Sequence, residues 1–330
     1  ADLPEALRSR MAFFHHASRA AAHPEQAKVL TMHSAVRALG VSAPEQLPAA
    51  IAQMTAGSLG TLQLEPIPVA RSVLSIAGQP LQTVGPEALR TLFDGTDGDL
   101  ADLRDLRDNT LDTIYAGLRE SGTRSQKAFL DRYAASREQA RALGENLGAL
   151  LEGIPSDDPV SDQVRAAVAL ARLRVAPVIS ISLEFGGDNH NDAELTEEAD
   201  QTVLGVGHIG LLWSELLAAG LEDAVSFALL NVFGRTLVRN SHGGRNHNRH
   251  HGVMVAFGKG IRGGVIGGPG EDLRARGIDP VSGAPVAEGG IPADATLEAA
   301  GRSLLAALGI PDEVAEERLR GGQVVRTFLA

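Results

Sequence analysis

The C-terminal half of the chain alternates apolar strand-like runs with a long helical stretch, and this alternation constrains the fold most. An apolar run at 177–184 is followed by a helical pattern at about 197–219. Further apolar runs lie at 224–230 and 253–257. Nearly continuous apolar strands joined by a helix are typical of a buried, largely parallel sheet. The sequence therefore predicts an α/β core over residues 161–330, with a last helix at 297–308.

Residues 1–160 show mainly helical spacing. Apolar side chains recur at helical intervals over 4–39, with a break near His23-Pro24, and again at 44–56. A short strand is predicted at 72–76. Two charged, amphipathic stripes at 100–118 and 129–151 predict a helical hairpin, at about 98–152, as an added layer.

Charge and composition exclude several classes of function. The net charge of −11 argues against a nucleic-acid partner, because such proteins usually carry basic patches. The chain contains no cysteine, so disulfides, thiolate ligands and cysteine nucleophiles are ruled out. No apolar run approaches the roughly 18 residues of a membrane-spanning helix. Gly258, Gly260 and Gly263 match a dinucleotide spacing, but the glycines that follow favour a turn between strands.

Polar residues cluster where the predicted strands end, which is where ligands bind in open α/β sheets. Asp188 and His190 follow the first strand, and Asn231, Arg235 and Thr236 follow the second. Four of the ten histidines lie between positions 242 and 251. Imidazole and carboxylate together suit divalent metals such as zinc, manganese or iron, so the cluster predicts a metal or catalytic site.

Each of these residues also has a purely structural interpretation. Runs of His, Asn, Arg and Gly form ordinary solvated loops. His208 lies inside the long predicted helix, where a structural role is the better interpretation. The N-terminal histidines lie on segments predicted to be helical, and a structural role is favoured for each of them: His15, His16, His23 and His33.

Three motifs resemble those of a bacterial sulfatase-like family known only as a domain of unknown function (number fifteen-oh-one) within the alkaline phosphatase superfamily. They are Phe233-Gly-Arg-Thr236, Gly244-Arg-Asn-His247 and Gly258-Lys-Gly-Ile-Arg-Gly-Gly264. Upstream, Phe185-Gly-Gly-Asp-Asn-His190 is similar to the Asp-x-His element of that family. The resemblance covers roughly residues 164–310.

The resemblance implies a three-layer α/β/α sandwich, export by the twin-arginine route, and a periplasmic or extracellular location. It implies a divalent metal (zinc, manganese or calcium) facing an anionic small-molecule or glycan ester of phosphate or sulfate. Arg235 would orient the anion through its planar fork, with Thr236 as a further catalytic candidate. The candidate ligands are Asp188, His190, Asn231, His247 and His251.

Two departures from the family leave a second interpretation open. Asn231 and Asn246 stand where the family has acidic residues, which removes negative charge for a second cation. The superfamily also takes a metal-binding Asp and a hydroxyl nucleophile from an early strand that this pattern lacks, so another chain could supply that strand. The alternatives are therefore a metal-dependent ester hydrolase and a non-catalytic descendant used for binding or assembly.

Overall fold

The computed structural model describes residues 3–40, 43–94, 101–124 and 154–330, together with residues 126, 127, 130 and 151. Its helices are α1 (Glu5–Arg8), α2 (Gln26–Leu30), α3 (Leu47–Leu59), α4 (Pro86–Asp94), α5 (Ala101–Ser121), α6 (Pro159–Arg172), α7 (Thr196–Ala218), α8 (Thr296–Ala307) and α9 (Asp312–Arg318). Its strands are β1 (Ala12–His16), β2 (Ile67–Pro68), β3 (Ser75–Ile76), β4 (Gln79–Pro80), β5 (Ile179–Ser180), β6 (Ser226–Leu229), β7 (Gly234–Arg235), β8 (His247–Asn248), β9 (Gly252–Gly258), β10 (Gly264–Ile266), β11 (Gly277–Ile278) and β12 (Pro285–Val286). Single 3-10 turns cover His23–Glu25, Ala293–Ala295 and Arg326–Phe328.

A mixed sheet in the order β10-β1-β9-β6 forms the centre of the described structure, so the α/β class is confirmed. β1 is parallel to β10, whereas β9 is antiparallel to both β1 and β6. The prediction of a largely parallel sheet is therefore wrong. β9 is antiparallel to β6 because the connection between them, residues 230–251, contains the short β7–β8 pair and no helical crossover. The chain therefore returns in the opposite direction. The carboxyl ends of β1, β6 and β10 lie at one edge, beside the start of β9.

β1 lies inside the segment that was expected to be helical, so the helical prediction for 4–39 is wrong there. Ala12, Phe14 and His16 alternate with the more exposed Phe13 and His15, as expected for a strand between two others. Pairing on both sides outweighs the local helical spacing. The sheet thus takes one strand from the first sixteen residues and three from the C-terminal part, and the division at residue 160 stays a prediction.

Helices cover both faces of the sheet. On one face, Leu297 and Leu304 of α8 pack against Phe14 of β1 and Met254 of β9. On the other face, Phe257 packs against apolar side chains of α6 and α7. These are Val164, Val168, Ile209, Leu212, Trp213 and Leu216. This burial explains why the strands are nearly continuous in apolar residues.

The helix ends follow from local chemistry. The carboxylate of Asp192 accepts hydrogen bonds from the backbone amides of Thr196 and Glu198, which caps α7. Asp158 caps α6 through the amide of Val160. α8 ends before Gly309, whose φ of +74° suits glycine. The helices predicted at 44–56, 197–219 and 297–308 are confirmed within a few residues, but α9 follows the helix expected to be the last.

Two other predictions are only partly confirmed. The run at 177–184 forms a strand only at Ile179–Ser180, which pairs with β2 and not with the main sheet. The first stripe of the hairpin is helical as α5, although Leu106 is 63% exposed. Most of the second stripe lies outside the described residues. Among the described helices, none is long and apolar enough to cross a membrane.

Candidate metal centre at the carboxyl edge of the sheet

A loop and a hairpin meet at the carboxyl edge of the sheet. The loop follows β5 and turns at Gly186 and Gly187, both with positive φ. The β7–β8 hairpin places Arg235 directly opposite His247. The backbone amide of Arg245 donates to the carbonyl of Asn189 at 3.0 Å, which holds the loop and the hairpin together.

His190 and His247 face each other through their Nε2 atoms, which are 3.0 Å apart. The Nδ1 atom of His247 lies 2.7 Å from the carbonyl oxygen of Ala21, which can only accept a hydrogen bond. The proton of neutral His247 therefore sits on Nδ1, and its Nε2 lone pair points at His190. A ligating histidine commonly has such a backbone partner on its second nitrogen.

The pKa of His247 is lowered by burial and further by the positive charge of Arg235 and the neighbouring imidazoles. Phe233 stacks on the imidazole at a centroid distance of 3.8 Å, and His23 meets both rings edge-on at 4.9 Å. This aromatic contact keeps water from one side of the imidazole. The lowered pKa favours the neutral form of His247, which is the form that binds a metal.

Arg235 brings a fixed cation to the histidine pair. Its Nη2 donates to the carbonyl of Gly187 at 2.6 Å, and its Nη1 lies 3.5 Å from His190 Nε2. The Asp188 carboxylate is 3.7 Å from the guanidinium and 3.8 Å from His190 Nε2. Burial lowers the pKa of Arg235, although an arginine remains charged at neutral pH.

A buried amide and an ion pair support the loop from behind. The side chain of Asn189 is fully buried and donates to the Glu198 carboxylate. Arg245 lies 3.4 Å from that carboxylate. Two carboxylates, Asp188 and Glu198, thus balance two guanidinium groups, those of Arg235 and Arg245. The fixed charges of the carboxylates and guanidinium groups in the centre therefore sum to zero.

A second imidazole pair lies at the junction of β1 and β9. His15 Nδ1 is 2.8 Å from His251 Nε2. Burial lowers the pKa of both residues. Next to them lies His16, which is fully buried. Burial, with smaller contributions from His251 and His15, lowers the pKa of His16 to about 4.

The structure brings together four of the predicted site residues: Asp188, His190, Arg235 and His247. His251 pairs with His15 instead, and no hydrogen bond or ring contact among the described residues joins it to the first pair. Asn231 is exposed. The Thr236 hydroxyl lies 2.9 Å from the carbonyl of Val238 and accepts from the amide of Asn246, so it belongs to the hairpin turn.

Sequence reasoning did not assign His23 and Phe233 to this centre, nor His15 to the second imidazole pair. The segment Met11–His16 offered a signal, because its apolar residues continue directly into two histidines as a buried strand would. His208 takes the structural role that was expected of it, since its Nε2 lies 2.7 Å from the capping carboxylate of Asp158.

Within the described part of the chain, no three side chains from His, Asp and Glu converge to hold one ion as they stand. The two imidazoles with facing nitrogens can nevertheless supply two of the ligands of a metal ion. With metal–nitrogen bonds of about 2.0–2.1 Å, two nitrogens on a tetrahedral ion lie roughly 3.3 Å apart. The His190–His247 pair would need to open only slightly, and the exposed Asp188 carboxylate is close enough to become a third ligand. The residues present therefore fit a divalent ion.

A cleft lies beside the histidines rather than over them. It has a volume of about 770 Å³ and is lined by a glycine-rich turn with Glu271, Asp272, Arg276 and Glu288. Its connection to the histidine loop is a hydrogen bond from the amide of Ala275 to the carbonyl of His250. The geometry thus places the nitrogen-rich centre at an open edge rather than in a deep pocket.

Comparison of the chain with protein-family models, with curated proteins and with solved structures finds no match.

Proposed function

We propose that the protein is a metal-dependent hydrolase of phosphate or sulfate esters, with an α/β/α sandwich of the alkaline-phosphatase type and a periplasmic or extracellular location. The observation that carries the proposal is the pair of facing Nε2 atoms in His190 and His247, with the Arg235 guanidinium beside them.

The first step of the argument concerns the ion. His190, His247 and Asp188 would hold it, a set of two imidazoles and one carboxylate that is common in zinc hydrolases. This donor set favours zinc or manganese over calcium, which prefers oxygen ligands. When bound, such an ion would supply Lewis-acid stabilisation of the charge that develops on the ester.

The second step concerns charge. Two carboxylates already balance two guanidinium groups, so a divalent ion would leave about two uncompensated positive charges. A phosphate monoester dianion would neutralise them, and a sulfate ester would do so in part. Arg235 would bind the oxygens of such a group with the N–H groups that remain beside its hydrogen bond to the carbonyl of Gly187, because its planar fork matches their geometry.

A second candidate function is binding of an anionic group without catalysis. It is favoured by the Thr236 hydroxyl, which is engaged in the hairpin turn and has no free role as a nucleophile. The Asn246 side chain is also engaged, since its oxygen accepts a hydrogen bond from Asn240. In this function the same residues would hold the metal and the anion, and assembly with another chain could follow.

The test is the metal content of the purified chain after dialysis against zinc or manganese. His247→Ala is compared with His242→Ala, which changes an exposed histidine of the same loop. We expect His247→Ala to bind about one ion per chain fewer, while His242→Ala keeps the full content and both variants remain folded by circular dichroism. Unchanged metal in folded His247→Ala would refute the assignment. Chromogenic phosphate and sulfate esters then separate the two functions, because only the hydrolase releases product.

A further inference from the structure

The pair formed by His15 and His251 has no part in the proposed ester site. Its position is fixed by strand register rather than by a loop. His15 is the direct partner of Val253 in the antiparallel pairing of β1 with β9. His251 precedes Val253 by two residues and therefore lies on the same face, diagonal to His15, where side chains can meet across the strands.

The two rings present nitrogen to nitrogen. His15 Nδ1 and His251 Nε2 are 2.8 Å apart, and the ring centroids are 5.1 Å apart. Two nitrogens bound to one tetrahedral ion lie roughly 3.3 Å apart. Side-chain rotations that open the pair by about half an ångström would be sufficient, so the backbone can stay as it is.

From this geometry we propose that His15 and His251 form a second transition-metal site, independent of the centre at His190 and His247. The ion is held by two imidazoles and completed by water, which can reach the half-buried rings from the open edge of the sheet.

The surroundings define which ions this site takes. No carboxylate of the described residues forms a hydrogen bond or an ion pair with either imidazole, in contrast to Asp188 beside His190. Imidazole ligands alone favour copper, nickel and zinc, whereas manganese and calcium prefer oxygen. The site is therefore selective for the later transition metals.

The alternative is a plain hydrogen bond between two neutral imidazoles, and isosteric substitutions separate the two. The amide of asparagine replaces imidazole Nδ1, and the amide of glutamine replaces Nε2. His15→Asn and His251→Gln can thus keep the hydrogen bond across the strands, but amides are poor ligands for nickel. His250→Ala is the matched control, since it removes the adjacent histidine and His250 makes no side-chain hydrogen bond within the described chain.

The experiment is calorimetric titration of the full chain with nickel, with equilibrium dialysis as a second count. We expect His15→Asn and His251→Gln each to bind one nickel ion fewer than the unaltered chain. In the absence of metal, the melting temperature of each variant should be close to that of the unaltered chain. His250→Ala keeps the full number. If both isosteric variants bind as many ions as tightly as the unaltered chain, the second site does not exist.

The result is independent of the proposed function. His247→Ala removes a different ion, so the double variant His247→Ala with His251→Gln is expected to lose two. Loss of an ion in His247→Ala alone, with none lost in His251→Gln, would overturn the second site and leave the ester site intact. Loss of an ion in His251→Gln, with none lost in His247→Ala, would overturn the ester site and leave the second site intact.

Discussion

Gly234 of β7 lies so close to His251 that a β-carbon at position 234 would overlap the carbonyl oxygen of His251. The glycine lets the short hairpin pack against the start of β9. Both imidazole pairs depend on this approach, because β7 carries Arg235 beside one pair and His251 belongs to the other.

Replacing Gly234 by alanine should therefore destabilise the protein. We expect the free energy of unfolding to fall by roughly 2 kcal/mol or more, since the overlap is with backbone and cannot be relieved by a rotamer change. Urea denaturation measures this loss. Gly207→Ala is the control, because Gly207 lies in α7 and its added β-carbon would meet nothing within 4 Å. That change should raise stability by up to about 1 kcal/mol, and equal stability of the two variants would contradict the packing.

Asp158 should make the free energy of unfolding depend on pH in the acidic range. Partial burial raises its pKa, but hydrogen bonds from Ser161, His208 and the amide of Val160 outweigh this and lower the pKa to about 2 from 3.8. A depressed carboxyl pKa stabilises the fold above pH 3.8, and this contribution is lost as the pH falls from 3.8 towards 2. The urea midpoint should therefore fall more between pH 5 and pH 2.5 for the unaltered chain than for Asp158→Asn.

The same residue gives a test at neutral pH. Asp158→Ala removes the cap of α6 and should cost about 1 kcal/mol of stability, whereas Asp158→Asn keeps an oxygen that can accept from Val160. Equal losses in both variants would mean that the carboxylate stabilises α6 by its charge and not as a hydrogen-bond acceptor.

Arg235→Lys should weaken anion binding without removing metal. Lysine keeps the charge but lacks the planar fork, so we expect at least about tenfold weaker binding of inorganic sulfate to the metal-loaded chain. Calorimetry measures the affinity and elemental analysis the metal. Arg239→Lys is the control on the same hairpin, where the side chain donates to the carbonyl of Ala193 and makes no other hydrogen bond within the described residues. Equal weakening in both variants would show that the loss does not depend on the planar fork of Arg235.

Local patterns predicted the parts of the fold that local chemistry determines. α7 and α8 combine apolar spacing with clear ends, and β6 and β9 are short apolar runs between turn residues. β1 could not be predicted in this way, because its main partner lies far along the chain: His15 and His251 are 236 positions apart. Its apolar residues also fit a helical spacing, and only long-range pairing decides between the two.

The candidate site was predictable to the extent that strand ends converge. Asp188, His190, Arg235 and His247 meet because the loop after β5 and the β7–β8 hairpin reach the same edge. His251 was assigned to that group from its position in the histidine-rich segment. It joins His15 instead because the start of β9 is paired with β1, a partner that the helical interpretation of the N-terminus concealed.

The position of β1 between β10 and β9 also has a consequence for how the chain folds. A strand near the N-terminus must wait until residues 252–266 have been synthesised before either neighbour exists. At 5–20 residues per second this delay is roughly 10–50 s on the ribosome. During that time Ala12–His16 has neither of its strand partners, so the sheet closes only after most of the chain has emerged. Slow refolding and a need for chaperone protection are the expected result of such high contact order.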